Sequence, residues 1–179
     1  TIHHKDTVRA IEDARKAQDL GAVALQVSAP DFNDPTQDDM MRFFGALSDA
    51  IEIGIVLYQT HFTNNGVVYP ETLRRMVDFE HIVGVKWSDP SNYGGRFYPP
   101  GCKYEDIFDL ANVFNIMDNS NQPVRCHKLG GRGYIQTHTS EYPPHDLRIW
   151  ELLESKQYDE AQTLFDLVNL KLGKFGEHI

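Results

Sequence analysis

Cysteine, positive charge and long apolar runs are all scarce in this sequence. Its 179 residues include two cysteines, Cys102 and Cys126, which are too few for a disulfide framework and lack the CxxC spacing of a zinc site. Acidic residues outnumber basic ones by 26 to 17, and the net charge of −9 argues against nucleic acid or an anionic membrane as a partner. No apolar run approaches the roughly 20 residues that cross a bilayer. We therefore predict a soluble protein of the reducing cytoplasm.

What the sequence does contain is a regular alternation of short apolar runs and segments with helical periodicity. The apolar runs predict five strands, at residues 22–27, 54–58, 82–86, 114–117 and 133–137. Helices are predicted at residues 5–20, 36–51, 70–77 and 104–111, and only helix follows Pro143-Pro144. This order is typical of an α/β fold with a parallel sheet and right-handed crossovers, either an open doubly wound sheet or a segment of a (β/α)8 barrel.

The number of strands decides between a complete and an incomplete barrel. Five strands cannot close a barrel, which needs about eight strands and about 250 residues, and no strand is predicted before the first helix. We therefore predict a partial (β/α)8, or TIM, barrel over residues 1–142, with C-terminal helices over residues 143–179 packed on it. The loop at residues 89–102 follows the third strand, at the end of the sheet where ligands bind.

One lysine stands where a buried strand runs out. Lys86 ends the run Ile82-Val83-Gly84-Val85-Lys86, and a lysine becomes a nucleophile at neutral pH when desolvation or a nearby cation lowers its pKa from about 10.4. Strand alternation places Ile82, Gly84 and Lys86 on one face, so that Gly84 leaves space for a small substrate beside the amine. The alternative is a lysine that reaches from the strand end into solvent.

Tyr58 closes the preceding strand in the same way, and consecutive parallel strands of a barrel are neighbours. We therefore expect the phenol of Tyr58 to lie beside the amine of Lys86. Such a pair suits Schiff-base formation, because the carbinolamine forms and dehydrates only where a nearby group gives and takes protons. Without that chemistry, Tyr58 is a half-buried aromatic side chain with a wet hydroxyl.

Five motifs, in a fixed order, carry a family resemblance. They are residues 21–30, Phe32-Asn33-Asp34-Pro35-Thr36-Gln37, Val56-Leu57-Tyr58, Pro70-Glu71-Thr72-Leu73 and Ile82-Val83-Gly84-Val85-Lys86. Together they resemble the dihydrodipicolinate synthase and N-acetylneuraminate lyase family over nearly all of the chain. The resemblance implies a (β/α)8 barrel of class I aldolases, synthases and dehydratases, in which Lys86 forms a Schiff base with a 2-oxo acid and Tyr58 relays protons. It also implies no cofactor and, when complete, a homo-oligomer such as a dimer or tetramer.

Two departures from the family pattern bear on the substrate and on the proton relay. The synthases have an arginine five residues after the tyrosine, where it holds a second carboxylate, and this chain has Thr63 there. The tyrosine pair that continues the family's proton relay corresponds to Asp31-Phe32, so a different relay is expected. With these changes, the resemblance favours a sugar-acid dehydratase, or an aldolase acting on a neutral aldehyde, over the synthase of lysine biosynthesis.

The resemblance also predicts further pocket residues at the ends of the last two strands. Asp118 and Asn119 follow the fourth strand and Ile135 lies in the fifth, where the family lines the pocket partly with backbone groups. With Thr63 they make up the predicted substrate contacts. From their position just after the lysine, Trp87 and Asp89 are expected to face the mouth of the pocket, and the alternative for Trp87 is a packed side chain. The histidines show no metal-binding spacing, so no metal is predicted.

These observations predict a lyase that forms a lysine Schiff base with a 2-oxo acid and then cleaves or dehydrates a 2-oxo-3-deoxy sugar acid or a related substrate. Two alternatives stay open: a dihydrodipicolinate synthase proper, and a catalytically silent barrel fragment that serves only as a fold or assembly unit. The upstream reading frame separates enzyme from fragment, because three further βα units with a Thr-rich loop would complete the barrel. An open-sheet nucleotide binder would need a Gly-rich strand-to-helix turn, which is absent.

Overall fold

A parallel sheet is the frame of the molecule. In a computed structural model, which describes residues 1–3, 6–31, 34–59, 66–93, 97–136 and 138–176, five strands lie side by side in the order of the sequence. The strands are β1 (Ala24–Ser28), β2 (Gly54–Tyr58), β3 (Ile82–Trp87), β4 (Asn115–Asp118) and β5 (Gly133–Tyr134). Every neighbouring pair is parallel, as the predicted β/α alternation requires.

The helices between and after the strands largely follow the predicted pattern. In the described part of the chain they are α1 (Thr7–Asp19), α2 (Gln37–Ser48), α3 (Pro70–Arg75), α4 (Pro123–Lys128), α5 (Pro143–Glu154) and α6 (Tyr158–Gly176). The segment Tyr104–Leu110, predicted as a helix, is a 3₁₀ helix. The sequence pattern does not predict α4, because six residues are too few for a periodic apolar stripe. Strand β5 ends at Tyr134, short of its predicted limit.

Capping residues explain where the first two helices begin. The carboxylate of Asp6 accepts a hydrogen bond from the Arg9 amide at 2.9 Å. The hydroxyl of Thr36 accepts from the Asp39 amide at 3.2 Å, and the Asp39 carboxylate accepts from the Thr36 amide at 2.8 Å. These bonds satisfy amide groups that have no partner inside the helix. Thr36 and Asp39 therefore form a capping box at the start of α2, where the predicted helix also begins.

In the described residues no strand precedes α1, as predicted, but one isolated bridge does. Ile2 forms a parallel bridge with Val27 of β1. The Ile2 amide donates to the carbonyl oxygen of Gln26 at 2.8 Å, and the Ser28 amide donates to the carbonyl oxygen of Ile2 at 3.0 Å. Residues 1–3 therefore lie beside β1 at this edge of the sheet. The sequence pattern misses this contact because three residues carry no period.

The two faces of the sheet have different environments. One face packs against the helices, and its side chains form the main core with them; the strand members are Leu25, Val27, Ile55, Leu57, Val85 and Ile116. Along β2 the alternate residues are only half-buried, because they point to the opposite, inner face. The inner face is therefore the one on which polar side chains remain accessible to a ligand.

A second apolar cluster joins the C-terminal helices to α4. Its buried members are Val124, Ile149, Leu152, Leu153, Ala161 and Phe165. Because Val124 belongs to α4, this cluster crosses the domain boundary predicted after residue 142, and that boundary stays a prediction. In the part of the chain that the structure describes, no helix combines the length and apolar character that crossing a membrane requires.

Candidate active site

Polar side chains line up across the sheet where the strands end. Ser28, the last residue of β1, is paired in register with Tyr58 of β2, and Tyr58 is paired with Lys86 of β3. Residues in register on neighbouring parallel strands point to the same face, so these three side chains share the inner face. They lie at the carboxyl end of the sheet, which is the end that carries catalytic residues in α/β barrels.

Lys86 and Tyr58 are in direct contact. The Nζ atom of Lys86 lies over the Tyr58 ring, 4.5 Å from its centroid. The pKa of Lys86 lies below its ordinary value because partial burial penalises the charged amine. Contact with the ring face favours the charged amine instead, since a cation over an aromatic ring is stabilised by about 0.5–1 kcal/mol. The phenyl ring therefore holds the amine in place, while burial increases its neutral, nucleophilic fraction.

The space beside Gly84 is filled, contrary to the prediction. The pairing of β2 with β3 shifts after Ile55, so that Ile82 lies opposite Ile55 in the helix-side core rather than on the face of Lys86. A Cβ atom at Gly84 would lie 2.8 Å from the carbonyl oxygen of Asn115 in β4, closer than such atoms approach in proteins. Gly84 therefore allows β4 to approach β3, and backbone occupies the volume that was expected to hold substrate.

Substitution of Gly84 tests this close approach. Gly84→Ala is expected to lower the free energy of unfolding by about 2–3 kcal/mol, because the backbone of a neighbouring strand must move. Gly54→Ala is the matched control: its Cβ would also lie 2.8 Å from another atom, but that atom is a methyl carbon of Val83, which can rotate away. Urea unfolding measures both. Equal losses in the two variants would contradict the argument.

Asp118 is buried on the helix side of the sheet. It is 1% exposed, and its carboxylate accepts hydrogen bonds from the Tyr104 hydroxyl at 2.8 Å and from the amides of Ser120 at 3.1 Å and Gln122 at 2.7 Å. Burial raises the pKa of Asp118 even though these three donors act to lower it. The side chain therefore anchors the loop after β4, and it does not face Lys86.

Asn119 ties the ends of two strands together beside the lysine. Its side-chain amide donates to the hydroxyl of Ser88 at 2.8 Å. Ser88, two residues after Lys86, is fully buried and donates to the carbonyl oxygen of Gln59 at 3.1 Å. Ile135, directly after β5, is 38% exposed. The carboxyl ends of β4 and β5 therefore carry one amide and one accessible apolar side chain.

Two glutamines hold the chain that returns after β2. The Gln59 side chain donates to the carbonyl oxygen of Val68 at 3.0 Å and accepts from the Val68 amide at 2.7 Å. The Gln37 side chain donates to the carbonyl oxygen of Val67 at 2.9 Å and accepts from the Tyr69 amide at 2.9 Å. Each side chain thus imitates the paired hydrogen bonds of a strand. Residues 67–69 are held from two sides, one of them adjoining the site.

Comparison with known proteins places this geometry in a family. A sequence profile of the Dihydrodipicolinate synthetase family matches residues 4–170. The chain belongs to this family. Among curated relatives, the 4-hydroxy-tetrahydrodipicolinate synthase of Pelobacter propionicus is 36% identical over 172 residues, which are 96% of this chain and 57% of that protein. The synthase of Methanococcus vannielii is 25% identical over 169 residues, 92% of this chain and 55% of that protein. The chain spans about half the length of the curated relatives it matches.

Solved structures of the Dihydrodipicolinate synthetase family share the fold. A chloride-inhibited dihydrodipicolinate synthase from Acinetobacter baumannii, complexed with pyruvate, matches with a TM-score of 0.76 at 23% identity, over 90% of this chain and 53% of that one. The 4-hydroxy-tetrahydrodipicolinate synthase from Methylacidiphilum fumariolicum SolV matches with a TM-score of 0.78 at 20% identity, over 93% of this chain and 53% of that one. The predicted partial TIM barrel of five parallel strands with C-terminal helices is confirmed.

Three positions singled out in the sequence have different outcomes. Trp87 is fully buried, and its indole N–H donates to the carbonyl oxygen of Tyr104 at 2.9 Å. The prediction that Trp87 faces the pocket mouth is wrong, because alternation along β3 turns it away from the face of Lys86. Thr63, where the synthases of this family have an arginine, and Phe32, where they have a tyrosine, both lie outside the described residues.

The arginine of α4 near the site is engaged with acidic side chains. Nη1 of Arg125 lies 3.3 Å from the carboxylate of Asp89, and the same guanidinium forms an ion pair with Glu105. Although burial alone would raise it, the pKa of Asp89 is lowered by hydrogen bonds from Gln122 and Ser91 and by the charge of Arg125. Arg125 therefore does not stand in for the family arginine as a free cation.

Sequence reasoning missed two members of the polar row. Ser28 ends β1 as Tyr58 ends β2, but the first strand is predicted to end one residue earlier, at Val27. Nδ1 of His3 lies 2.5 Å from Oγ of Ser28, and the rings of His3 and Tyr58 meet edge to face with centroids 5.5 Å apart. No periodic signal marks His3, because its strand contact consists of one bridged residue. Within the described ranges, no three His, Cys, Asp or Glu side chains lie where they could hold a metal ion together.

Proposed function

We propose that the protein is a lyase that binds a 2-oxo acid as a Schiff base, with Lys86 as the nucleophile and Tyr58 as the proton relay. The observation that carries the proposal is the contact of the Lys86 amine with the Tyr58 ring at 4.5 Å. It lies at the barrel end that holds catalytic residues in this architecture. The similar structure from Acinetobacter baumannii is a complex with pyruvate, which is a 2-oxo acid.

The proposed reaction begins with the neutral amine of Lys86. Its lone pair attacks C2 of the 2-oxo acid, and the carbonyl oxygen takes a proton to give a carbinolamine. Tyr58 then protonates the departing hydroxyl, water leaves, and an iminium ion remains on Lys86. The iminium withdraws electrons from C3, and the phenolate left on Tyr58 takes a proton from that carbon. The resulting enamine supports either a carbon–carbon bond change at C3 or the loss of a C4 hydroxyl as water.

The finer substrate assignment has two candidates. The activity for which the relatives are named, that of a 4-hydroxy-tetrahydrodipicolinate synthase, favours condensation of pyruvate with an aldehyde that carries a second carboxylate. Thr63 at the arginine position favours cleavage or dehydration of a 2-oxo-3-deoxy sugar acid, because a neutral hydroxyl is a weaker carboxylate partner than a guanidinium. A side-by-side comparison of kcat/KM for aspartate semialdehyde condensation and for a 2-oxo-3-deoxy sugar acid decides between them.

The rest of the proposed pocket is assigned from position. Asn119 and Ile135 are the proposed side-chain contacts at the ends of β4 and β5, whereas Asp118 contributes at most through its backbone. Thr63 is the proposed contact from the segment after β2. We also propose that the complete protein is a homo-oligomer and that it needs neither cofactor nor metal. Chelator treatment of the active protein tests the need for a metal.

Borohydride trapping tests the Schiff base. The purified full-length protein is incubated with pyruvate, reduced with sodium borohydride and digested, and the peptides are mapped by mass spectrometry. We expect one pyruvyl addition, on the peptide that contains Lys86, and none on Lys128, whose amine also lies over a tyrosine ring, at 4.8 Å from the centroid of Tyr158. An addition on another lysine, or none, sinks the proposal.

The rate of adduct formation is expected to rise with pH. Only the neutral amine attacks, and because the pKa of Lys86 is lowered, the rise should be complete at a lower pH than for an ordinary lysine with a pKa of about 10.4. Initial trapping rates from about pH 6 to about pH 10 measure this, with Nα-acetyl-lysine, whose side-chain amine is free, as the control. A midpoint equal to that of the control would show that burial does not activate Lys86.

A further inference from the structure

A buried serine hydroxyl joins the carboxyl ends of three strands, two residues beyond Lys86. Ser88 is fully buried. Its hydroxyl donates to the carbonyl oxygen of Gln59, which follows β2, at 3.1 Å. The same hydroxyl accepts from the side-chain amide of Asn119, which follows β4, at 2.8 Å. Its one hydrogen and one of its lone pairs are therefore each engaged by the end of a different neighbouring strand.

The bonds of Ser88 lie directly beside the contact between Lys86 and Tyr58. Gln59 is the residue after Tyr58, and its amide donates to the carbonyl oxygen of Lys86 at 3.2 Å. Gln59 is thus bonded to β3 at two points, through its amide at Lys86 and through its carbonyl oxygen at Ser88. A single bond would let the end of β2 lift away from β3, whereas two bonds fix it. They therefore set where the Tyr58 ring lies relative to the Lys86 amine.

Both partners of Ser88 are themselves held in place. The Gln59 side chain pairs with the two backbone groups of Val68, and the backbone amide of Asn119 donates to the carbonyl oxygen of Trp87 at 2.8 Å. A hydroxyl that accepts one hydrogen bond donates more strongly in the next, so Asn119 strengthens the bond from Ser88 to Gln59. Any further chain packed against this end of the sheet can only bury these bonds more deeply.

We propose that Ser88 is a positioning residue: it holds the end of β2 against β3, so that the Lys86 amine stays over the Tyr58 ring and attacks a 2-oxo acid from there. The proposal rests on the Schiff-base reaction proposed above. Ser88 is fully buried, so it acts through Lys86 and Tyr58 and does not touch the substrate. Attack on a carbonyl carbon is sensitive to placement, and a shift of about 1 Å can lower a rate by about 10²-fold. The hydroxyl therefore affects the rate of the reaction more than the affinity for the 2-oxo acid.

Two serine substitutions at opposite ends of β3 test the proposal. In Ser88→Ala, the rate of borohydride trapping at saturating pyruvate is expected to fall by about tenfold, whereas the half-saturating pyruvate concentration should change by less than about threefold. Ser48→Ala is the matched control. Ser48 is 2% exposed, and its hydroxyl accepts from the amide of His81, just before the amino end of β3, at 3.1 Å. Both variants should unfold at a lower urea concentration than the wild type, but Ser48→Ala should keep the wild-type rate.

Ser88→Thr separates the hydrogen bonds from the packing. Threonine keeps the hydroxyl, so this variant should retain about a third or more of the wild-type rate, although its added methyl group lowers stability in a tightly packed site. The positioning role is overturned if Ser88→Ala keeps more than about half of the wild-type rate, or changes only the half-saturating concentration. It is also overturned if Ser48→Ala or Ser88→Thr is as slow as Ser88→Ala. In all these cases the wild type still yields pyruvyl-Lys86, so the Schiff base stands. No trapped adduct in the wild type overturns the proposed function, and the positioning role with it.

Discussion

Lys86→Arg is expected to reduce turnover by about 10³-fold or more, and to abolish borohydride trapping, without unfolding the protein. Arginine keeps the positive charge and its contact with the Tyr58 ring, which lies 4.5 Å from the present amine. It stays protonated at every accessible pH, however, so it has no lone pair with which to attack a carbonyl carbon. The steady-state rate with each candidate substrate is the measurement.

Lys128→Arg is the matched control for that experiment. Lys128 ends α4, and its Nζ lies 4.8 Å from the centroid of the Tyr158 ring, so the same substitution is made in the same type of cation–ring contact far from the inner face. Turnover should be unchanged in Lys128→Arg, and thermal unfolding should be similar in both variants. If Lys86→Arg kept a tenth or more of the wild-type rate, Lys86 would not be the nucleophile.

Asp118→Ala is expected to lower the free energy of unfolding by about 3 kcal/mol. We expect a smaller effect on the reaction rate of the molecules that remain folded. The substitution removes the acceptor for the Tyr104 hydroxyl and for the amides of Ser120 and Gln122, and it leaves these donors buried. Asp118→Asn keeps a carbonyl acceptor and should lose much less. Urea unfolding of the two variants gives the comparison.

The pH dependence of stability supplies a second check on Asp118. Its pKa is raised by burial above the ordinary value of 3.8, so the folded state favours the protonated carboxyl. That contribution is fully present below the ordinary carboxyl pKa and is lost as pH rises through the raised one. The stability of Asp118→Asn relative to the wild type should therefore improve over that rise.

Asp109→Ala is the control for the removal of an exposed carboxylate. Asp109 is half-exposed and paired with Arg74, so its substitution should change the free energy of unfolding by about 0.5 kcal/mol or less.

Most of the strands and helices could be predicted from the sequence because their signals are local. Apolar runs mark β1 to β4, and the capping box at Thr36 marks the start of α2. The bridge at Ile2 has no such signal, since it pairs a single residue with β1. Helix α4 has none either, since its six residues are too few to show a period. The burial of Trp87 was open to prediction, because strict alternation from Lys86 already turns it to the helix side.

The site was less predictable than the fold. The contact between Lys86 and Tyr58 could be predicted, because each is the last residue of its predicted strand and the two strands are neighbours. The loss of space at Gly84 could not, because it depends on a register shift after Ile55 and on the distance between β3 and β4. His3 depends on a contact between residues 25 positions apart, which no local pattern in the sequence reports.

The two glutamine clamps have an evolutionary consequence. Gln59 and Gln37 hold residues 67–69 through side chains alone, so the chain is fastened on both sides of residues 60–65 whatever those six residues are. Because both flanks are fixed, we expect substitutions within residues 60–65, at Thr63 among them, to leave β2 and α3 in place. If this segment meets the substrate as proposed, a lineage can exchange one substrate for another there while it keeps Lys86 and the barrel.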